Sequence, residues 1–191
     1  MILLLAVVAG VVFGVVRAWF QSRPYQTPEL RFIWLVLLAV IPQLFTFHVY
    51  STAKLIPDYL APFILVSTQI LLIVFVWVNR KKSGFWALGI GLGLNFLVII
   101  LNGGLMPICP EAVTYLIPNA PNSAWAIGDR LGTSKNIVLS IKGTRLAWMS
   151  DYIMLPAWIP WRVAYSVGDI GIALGAFLLL WEGDKPSGTF N

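Results

Sequence analysis

The chain has 191 residues, of which 59% are hydrophobic and only 11% are charged. A soluble domain carries about 25% charged residues, so water cannot solvate the surface of such a chain and lipid must. The net charge of +5 does not point to nucleic acid, because no basic patch with interleaved aromatics occurs and most Lys and Arg residues flank apolar runs, where they act as topology signals. A single cysteine, Cys109, excludes an internal disulfide, and the single histidine, His48, stands in no Cys or carboxylate cluster of the kind that binds zinc.

Five apolar runs are long enough to cross about 30 Å of hydrocarbon at about 1.5 Å per residue. They predict helices over 2–19, 32–50, 59–78, 85–105 and 160–181. Backbone groups in lipid must bond within their own segment, so continuous runs of this kind are helices and not barrel strands. The first run lacks a basic leader and a small-residue cleavage site, which predicts a retained helix. The loop after it holds Arg17, Arg23 and Arg31. The second helix ends near His48, and a short loop with Lys54 and Asp58 leads to the third. Next comes Asn79-Arg80-Lys81-Lys82-Ser83, the strongest basic cluster in the chain. The fourth helix carries Asn95 and Asn102 on one face and stops at Gly103-Gly104-Leu105-Met106-Pro107.

Residues 106–159 form a loop too long for a connector. Its apolar stretches Ile137–Ile141 and Leu146–Met149 predict short amphipathic elements on the membrane face, covering the helix ends. Placing the first and third loops in the cytoplasm satisfies the positive-inside rule. The expected fold is therefore all-α: one integral membrane domain, a polytopic bundle of about five transmembrane helices with a long extracytoplasmic loop between the fourth and fifth. Its expected location is a bacterial inner membrane, N-terminus outside and C-terminus cytoplasmic. Aromatic residues near the predicted ends, among them Trp19, Tyr50, Tyr59, Trp86, Trp158 and Trp181, fit interfacial belts. Gly10 and Gly14, Gly89 and Gly93, and Gly171 and Gly175 are spaced for close helix packing, inside the chain or against a partner.

Few residues offer chemistry. Asp169 falls well inside the predicted fifth helix, where a carboxylate needs a proton or a partner; Arg162, two turns earlier on that helix, Arg145 and backbone groups are candidate partners. Asp151 precedes the same helix and can be carried toward Asp169 by its loop, and two carboxyl groups sharing a proton are the minimum for aspartyl hydrolysis. Asn95 and Asn102 can bond a neighbouring helix or contact a substrate or partner. His48 is the one residue that can ligate a pigment such as chlorophyll; no other cofactor is indicated, and no metal site.

Asn102–Pro107, the run Thr144–Ile153 and the run Ser166–Gly175 together resemble a family of bacterial multi-pass membrane proteins known only as a domain of unknown function. The resemblance implies the fold and the membrane location and brings no activity. The order Asp151 then Asp169, the second followed by an apolar glycine-containing run, is also similar to the lipoprotein signal peptidases, which implies catalytic roles for both carboxylates. Ser166 stands where that family has Asn. The leading expectation is a non-catalytic subunit or scaffold that contacts lipid and other membrane subunits. The second is an aspartyl intramembrane hydrolase, and the third a small transporter or ligand-binding membrane protein.

Overall fold

The computed structural model describes residues 1–121, 124–156 and 158–183. Five long helices follow the apolar runs: α1 (Ile2–Phe20), α2 (Trp34–Phe47), α4 (Leu60–Asn79), α5 (Gly84–Leu101) and α7 (Val167–Glu182). The short α3 (Tyr50–Ala53) follows α2, and α6 (Pro110–Leu116) lies in the long loop. Among the described residues, α1, α4 and α5 are long and apolar enough to cross a membrane, and α2 is a shorter apolar helix. Large apolar side chains such as Leu4, Leu5, Phe13, Phe63, Trp77 and Ile90 are exposed along these helices, a surface that suits lipid and not water.

The helices pack as a row that does not follow the sequence. α1 packs on α7, α7 on α5, α5 on α4 and α4 on α2. Glycine decides the two tightest contacts. A β-carbon on Gly91 would lie 2.5 Å from the Gly168 carbonyl oxygen, and one on Gly175 would lie 2.3 Å from the Leu88 nitrogen, so α5 and α7 touch backbone to backbone. Gly10 and Gly14 of α1 likewise meet the backbone of Phe177 and Leu180 on α7. The predicted pairs on α1 and α7 are thus used within the chain. The predicted pair on α5 divides: Gly89 meets the Val76 side chain of α4, Gly93 faces open space, and Gly84 and Gly91 make the contact with α7.

Residues 106–166 cap one end of the row with more regular structure than an all-α reading allows. β1 (Met106–Ile108) pairs parallel with β2 (Asn136–Val138), in register Met106 to Asn136, and Ile108 bridges in parallel to Asp151 on its other side. β3 (Ile153–Met154) pairs antiparallel with β4 (Ala164–Tyr165). Ile108, Cys109, Ala112, Val113 and Val138 form a core of their own, while Met106 and Met149 join the one between Phe47, Leu65, Val98 and Ile99. In the stretches expected to be amphipathic, Val138 and Met149 are buried against protein while Ile141 and Trp148 are exposed.

The predicted start of the fifth helix is also corrected. Residues 160–166 are not helical, and α7 begins at Val167. Ser166 accepts from the Asp169 N–H and Asp169 accepts from the Ser166 N–H, a capping box that fixes the start. Asp169 thus lies in the first turn, not at depth, and Arg162 precedes the helix altogether.

Two asparagines fasten distant segments by the same device. Asn102, just past the end of α5, accepts from the Arg145 N–H and donates to the Arg145 carbonyl, both at 2.9 Å. Asn79, at the end of α4, accepts from the Arg31 N–H at 2.8 Å and donates to its carbonyl at 2.9 Å. A primary amide offers a donor and an acceptor side by side, which matches the N–H and C=O of one residue in extended backbone.

Candidate functional site

The capped end of the row encloses a cavity of about 540 Å³, within the range of small-molecule sites. Its polar lining is Gln43, His48, Lys135, Asn136, Asp151, Arg162, Tyr165 and Asp169; Leu3, Ile108, Leu116 and Ile172 supply apolar wall. Each polar group arrives for a local reason. β1 holds β2 on one side and Asp151 on the other, so Asn136 and Asp151 converge across a single strand. The Asp151 N–H donates to the Pro107 carbonyl and fixes the carboxylate at the sheet edge. The capping box places Asp169 at the cavity-facing start of α7.

Asp151 is only 4% exposed. Its Oδ2 accepts from Asn136 Nδ2 at 2.7 Å and lies 3.6 Å from Lys135 Nζ. Its Oδ1 is buried and has no hydrogen-bond partner. An unsatisfied buried polar atom costs about 1–3 kcal/mol, and more when charged. Burial pushes the Asp151 carboxyl above the ordinary carboxylate range; Lys135 and Asn136 pull against this and the nearby Asp169 charge adds to it. For Lys135, burial lowers the ammonium, but the Asp151 and Asp169 charges outweigh burial and hold it above the usual lysine value.

Asp169 is the better satisfied acid. Its Oδ1 accepts from Asn95 Nδ2 at 2.9 Å and its Oδ2 from the Ser166 N–H at 3.1 Å. Asn95 Oδ1 in turn accepts from Ser166 Oγ at 2.8 Å. Asn95 is therefore a tie between α5 and α7.

The predicted residues separate into those the cavity gathers and those it does not. Asp151, Asp169, Arg162 and His48 line it. Asn95 supports it from behind through Asp169. Arg145 and Asn102 meet each other through the Arg145 backbone and do not line the cavity. The expected pairing of Asp169 with Arg162 or Arg145 is replaced by Asn95 and the Ser166 backbone; the Arg162 guanidinium donates to the Tyr115 carbonyl at 3.0 Å and lies over the Tyr115 ring. Lys135, Asn136 and Gln43 were not among the expected residues. Lys135-Asn136 sits in a polar turn before an apolar run, and only the β1–β2 pairing turns it toward Asp151. Among the described residues no group of His, Cys, Asp and Glu is placed to hold a metal ion.

Residues 27–181 match the family described as "Family of unknown function (DUF5317)", and the chain belongs to it. It is also similar to an uncharacterized protein of Thermotoga maritima, 29% identical over 145 residues, which cover 71% of this chain and 71% of the relative. No solved structure matches.

Proposed function

We propose that this DUF5317 member is a multi-pass membrane protein that binds a small ligand in the cavity around Asp151 and catalyses nothing itself. The observation that carries the reading is the convergence of Lys135, Asp151, Arg162 and Asp169 on one cavity of about 540 Å³. A concave space with a few convergent polar groups is the usual form of a small-ligand site. In the bilayer α1, α2, α4, α5 and α7 span, giving five crossings in one integral domain. α2 has 14 residues and α7 has 16, about 21 and 24 Å at helical rise, and local thinning accommodates short spans. Arg80, Lys81 and Lys82 between α4 and α5 favour a cytoplasmic position for that end. The cavity then opens at the outer face of an inner membrane, with the N-terminus outside.

A second reading, the aspartyl hydrolase, has one observation in its favour: Asp151 and Asp169 line the same cavity. Against it, Asp169 is held by Asn95 and the Ser166 N–H, and Asp151 sits beside Lys135, so two acids sharing one proton are not the natural state of this pair. The subunit reading would use glycine faces for packing against a partner. Those of α1 and α7 are filled within the chain.

The test is to purify the full chain in a mild detergent and analyse what co-purifies, beside a Val163→Trp variant that puts a bulky side chain in the cavity wall, which Val163 lines. A small molecule near one per chain in the wild type, and absent from the variant, is the expected result. Equal recovery from both would remove the binding reading. A stoichiometric protein partner with an empty cavity would restore the subunit reading.

A further inference from the structure

We propose that the groove between α4 and α5, beside the basic turn at 80–83, docks one anionic phospholipid, with the phosphate on Arg80 and Lys81 and an acyl chain lying along Gly89. The groove is at the other end of the helix row from the cavity around Asp151, and the proposal does not depend on that cavity being a binding site.

The first observation is the slot itself. Basic residues in a turn between two spans need no groove to act as topology signals, yet this turn has one. α4 and α5 touch through Phe75 and Phe85, whose ring centroids are 5.5 Å apart. Beside that contact Gly89 brings no side chain, and a β-carbon there would come within 2.9 Å of Val76 Cγ1. The space left is about 230 Å³, walled by Ile73, Val76, Phe85 and Ile90 and flanked by Trp77 and Trp86. Its rim is open to the surroundings, since Trp77, Trp86 and Ile90 are 63%, 62% and 61% exposed. From Ile73 to Arg80 the slot follows α4 for about 10 Å, most of one half of a hydrocarbon layer about 30 Å thick.

The second observation is charge. Arg80 belongs to the lining. Its guanidinium lies over the Trp77 ring, 4.1 Å from the centroid, and Nη1 donates to the Trp77 carbonyl at 2.9 Å. These contacts hold the planar fork at the end of the slot, and such a fork suits phosphate oxygens. Arg80 and Lys81 are both exposed. None of the described residues lining the slot is acidic. The acid near the turn, Glu182, accepts from Ser83 Oγ and lies outside the lining.

Shape and charge together select the occupant. A partner helix is about 10–12 Å across with its side chains, too wide for a slot of this volume between two helices in contact. A single acyl chain is narrow enough. Lys and Arg at the end of a span attract anionic lipids, and tryptophans at both rims mark the level at which headgroups begin. The phosphate of a lipid whose chain lies along Gly89 therefore reaches the height of Arg80 and Lys81. A zwitterionic lipid would bring its own cation against the same turn.

Native mass spectrometry of the full-length protein in detergent, titrated with dioleoyl phosphatidylglycerol or dioleoyl phosphatidylcholine, tests the assignment, because the two differ only in the head. The first phosphatidylglycerol should bind about tenfold or more tighter than phosphatidylcholine and than a second copy of itself. Arg80→Gln and Lys81→Gln should each weaken it roughly fivefold. Gly89→Leu, which fills the slot and keeps the charges, should abolish the distinct first site; if that variant is not monodisperse, Ile90→Trp at the open rim decides. The lipid should stay bound in Val163→Trp, which separates it from a ligand of the Asp151 cavity. Equal affinity for the two lipids overturns the proposal, as does tight binding that survives Arg80→Gln with Lys81→Gln. Tight binding that survives filling of the slot leaves only a charged turn and overturns the groove. Soluble glycerol phosphate competing as well as the lipid overturns the acyl-chain assignment, and a dimer formed in place of lipid binding gives the groove to a second copy and overturns it too.

Discussion

Asn95 on α5 donates to the Asp169 carboxylate at the start of α7, at 2.9 Å, while its carbonyl oxygen accepts from Ser166 Oγ at 2.8 Å. One amide thus ties the capping box of the last helix to the helix it packs on. Asn95→Leu should lower stability by about 1–3 kcal/mol, since it removes the partner of the buried Ser166 hydroxyl and of the partly buried Asp169 carboxylate. Asp169→Asn keeps the shape but loses the charge-assisted bonds, and about 1–2 kcal/mol is expected. Thermal unfolding in detergent measures both. A hydrolytic activity abolished by Asp169→Asn without any drop in stability would contradict the structural role.

The backbone contact between α5 and α7 gives a sharper contrast. In Gly168→Ala the new carbon would lie 2.1 Å from Asn95 Oδ1 and 2.6 Å from the Gly91 carbonyl oxygen, and in Gly91→Ala 2.5 Å from the Gly168 carbonyl oxygen. Both should reduce folded yield severely. Gly93→Ala meets nothing within 4 Å and should be neutral or stabilising by up to about 1 kcal/mol, because alanine is the better helix former. Monodisperse yield by size exclusion separates the three.

Asp151 sets a pH dependence of unusual sign. Its folded pKa is raised, chiefly by burial, so the folded state holds this proton more tightly than the unfolded chain does. The stability this confers is fully present below the unfolded value of about 4 and is lost as pH rises through the folded value. Wild type should therefore lose stability relative to Asp151→Asn as pH rises from about 4. The raised Lys135 pKa adds a second loss as pH climbs past about 10. Melting profiles of the two proteins across this range check both steps, and a wild type that gains stability relative to Asp151→Asn as pH rises from about 4 would contradict the assignment.

The clasp at Asn102 predicts a local effect. Asn102→Ala frees the Arg145 peptide from α5 while the β1–β2 pair remains. Limited proteolysis should cut the segment near Lys142 and Arg145 faster, by roughly tenfold for each ~1.4 kcal/mol lost locally, with little change in global melting. Unchanged cleavage would show that Met149 and its apolar neighbours suffice to hold the segment.

Orientation can be read with single cysteines in a Cys109→Ala background. Asn119→Cys, exposed in the long loop, should react with an impermeant maleimide on intact cells, and Lys81→Cys, in the basic turn, only after the membrane is opened. The reverse pattern would invert the proposed topology.

The helices were legible because lipid leaves a one-dimensional signal: apolar length bounded by charge. Four predicted runs agree with α1, α2, α4 and α5 to within a few residues. The fifth overshoots, because 160–166 is apolar enough to read as helix although β3–β4 pairing and the Ser166 cap start α7 later. The candidate site was legible in its acids, since Asp151 and Asp169 stand out among few charges. Lys135, the nearest charge to Asp151, was not, because it is brought there by a parallel strand pair whose members lie some 30 residues apart. Such pairing leaves no local trace in composition or period. The glycines were half legible: spacing identified α1 and α7, while on α5 the contact falls at Gly84 and Gly91 and skips Gly93.

The helix row has a consequence for how the protein is made. α7 leaves the ribosome after α1, α2, α4 and α5, yet it lies between α1 and α5. α1 therefore waits through the synthesis of α2, α4 and α5 before the helix it packs on exists. Gly10 and Gly14 stay unmatched until Phe177 and Leu180 arrive. A chain that stops short of α7, a helix of sixteen residues, would leave α1 without the surface it packs on.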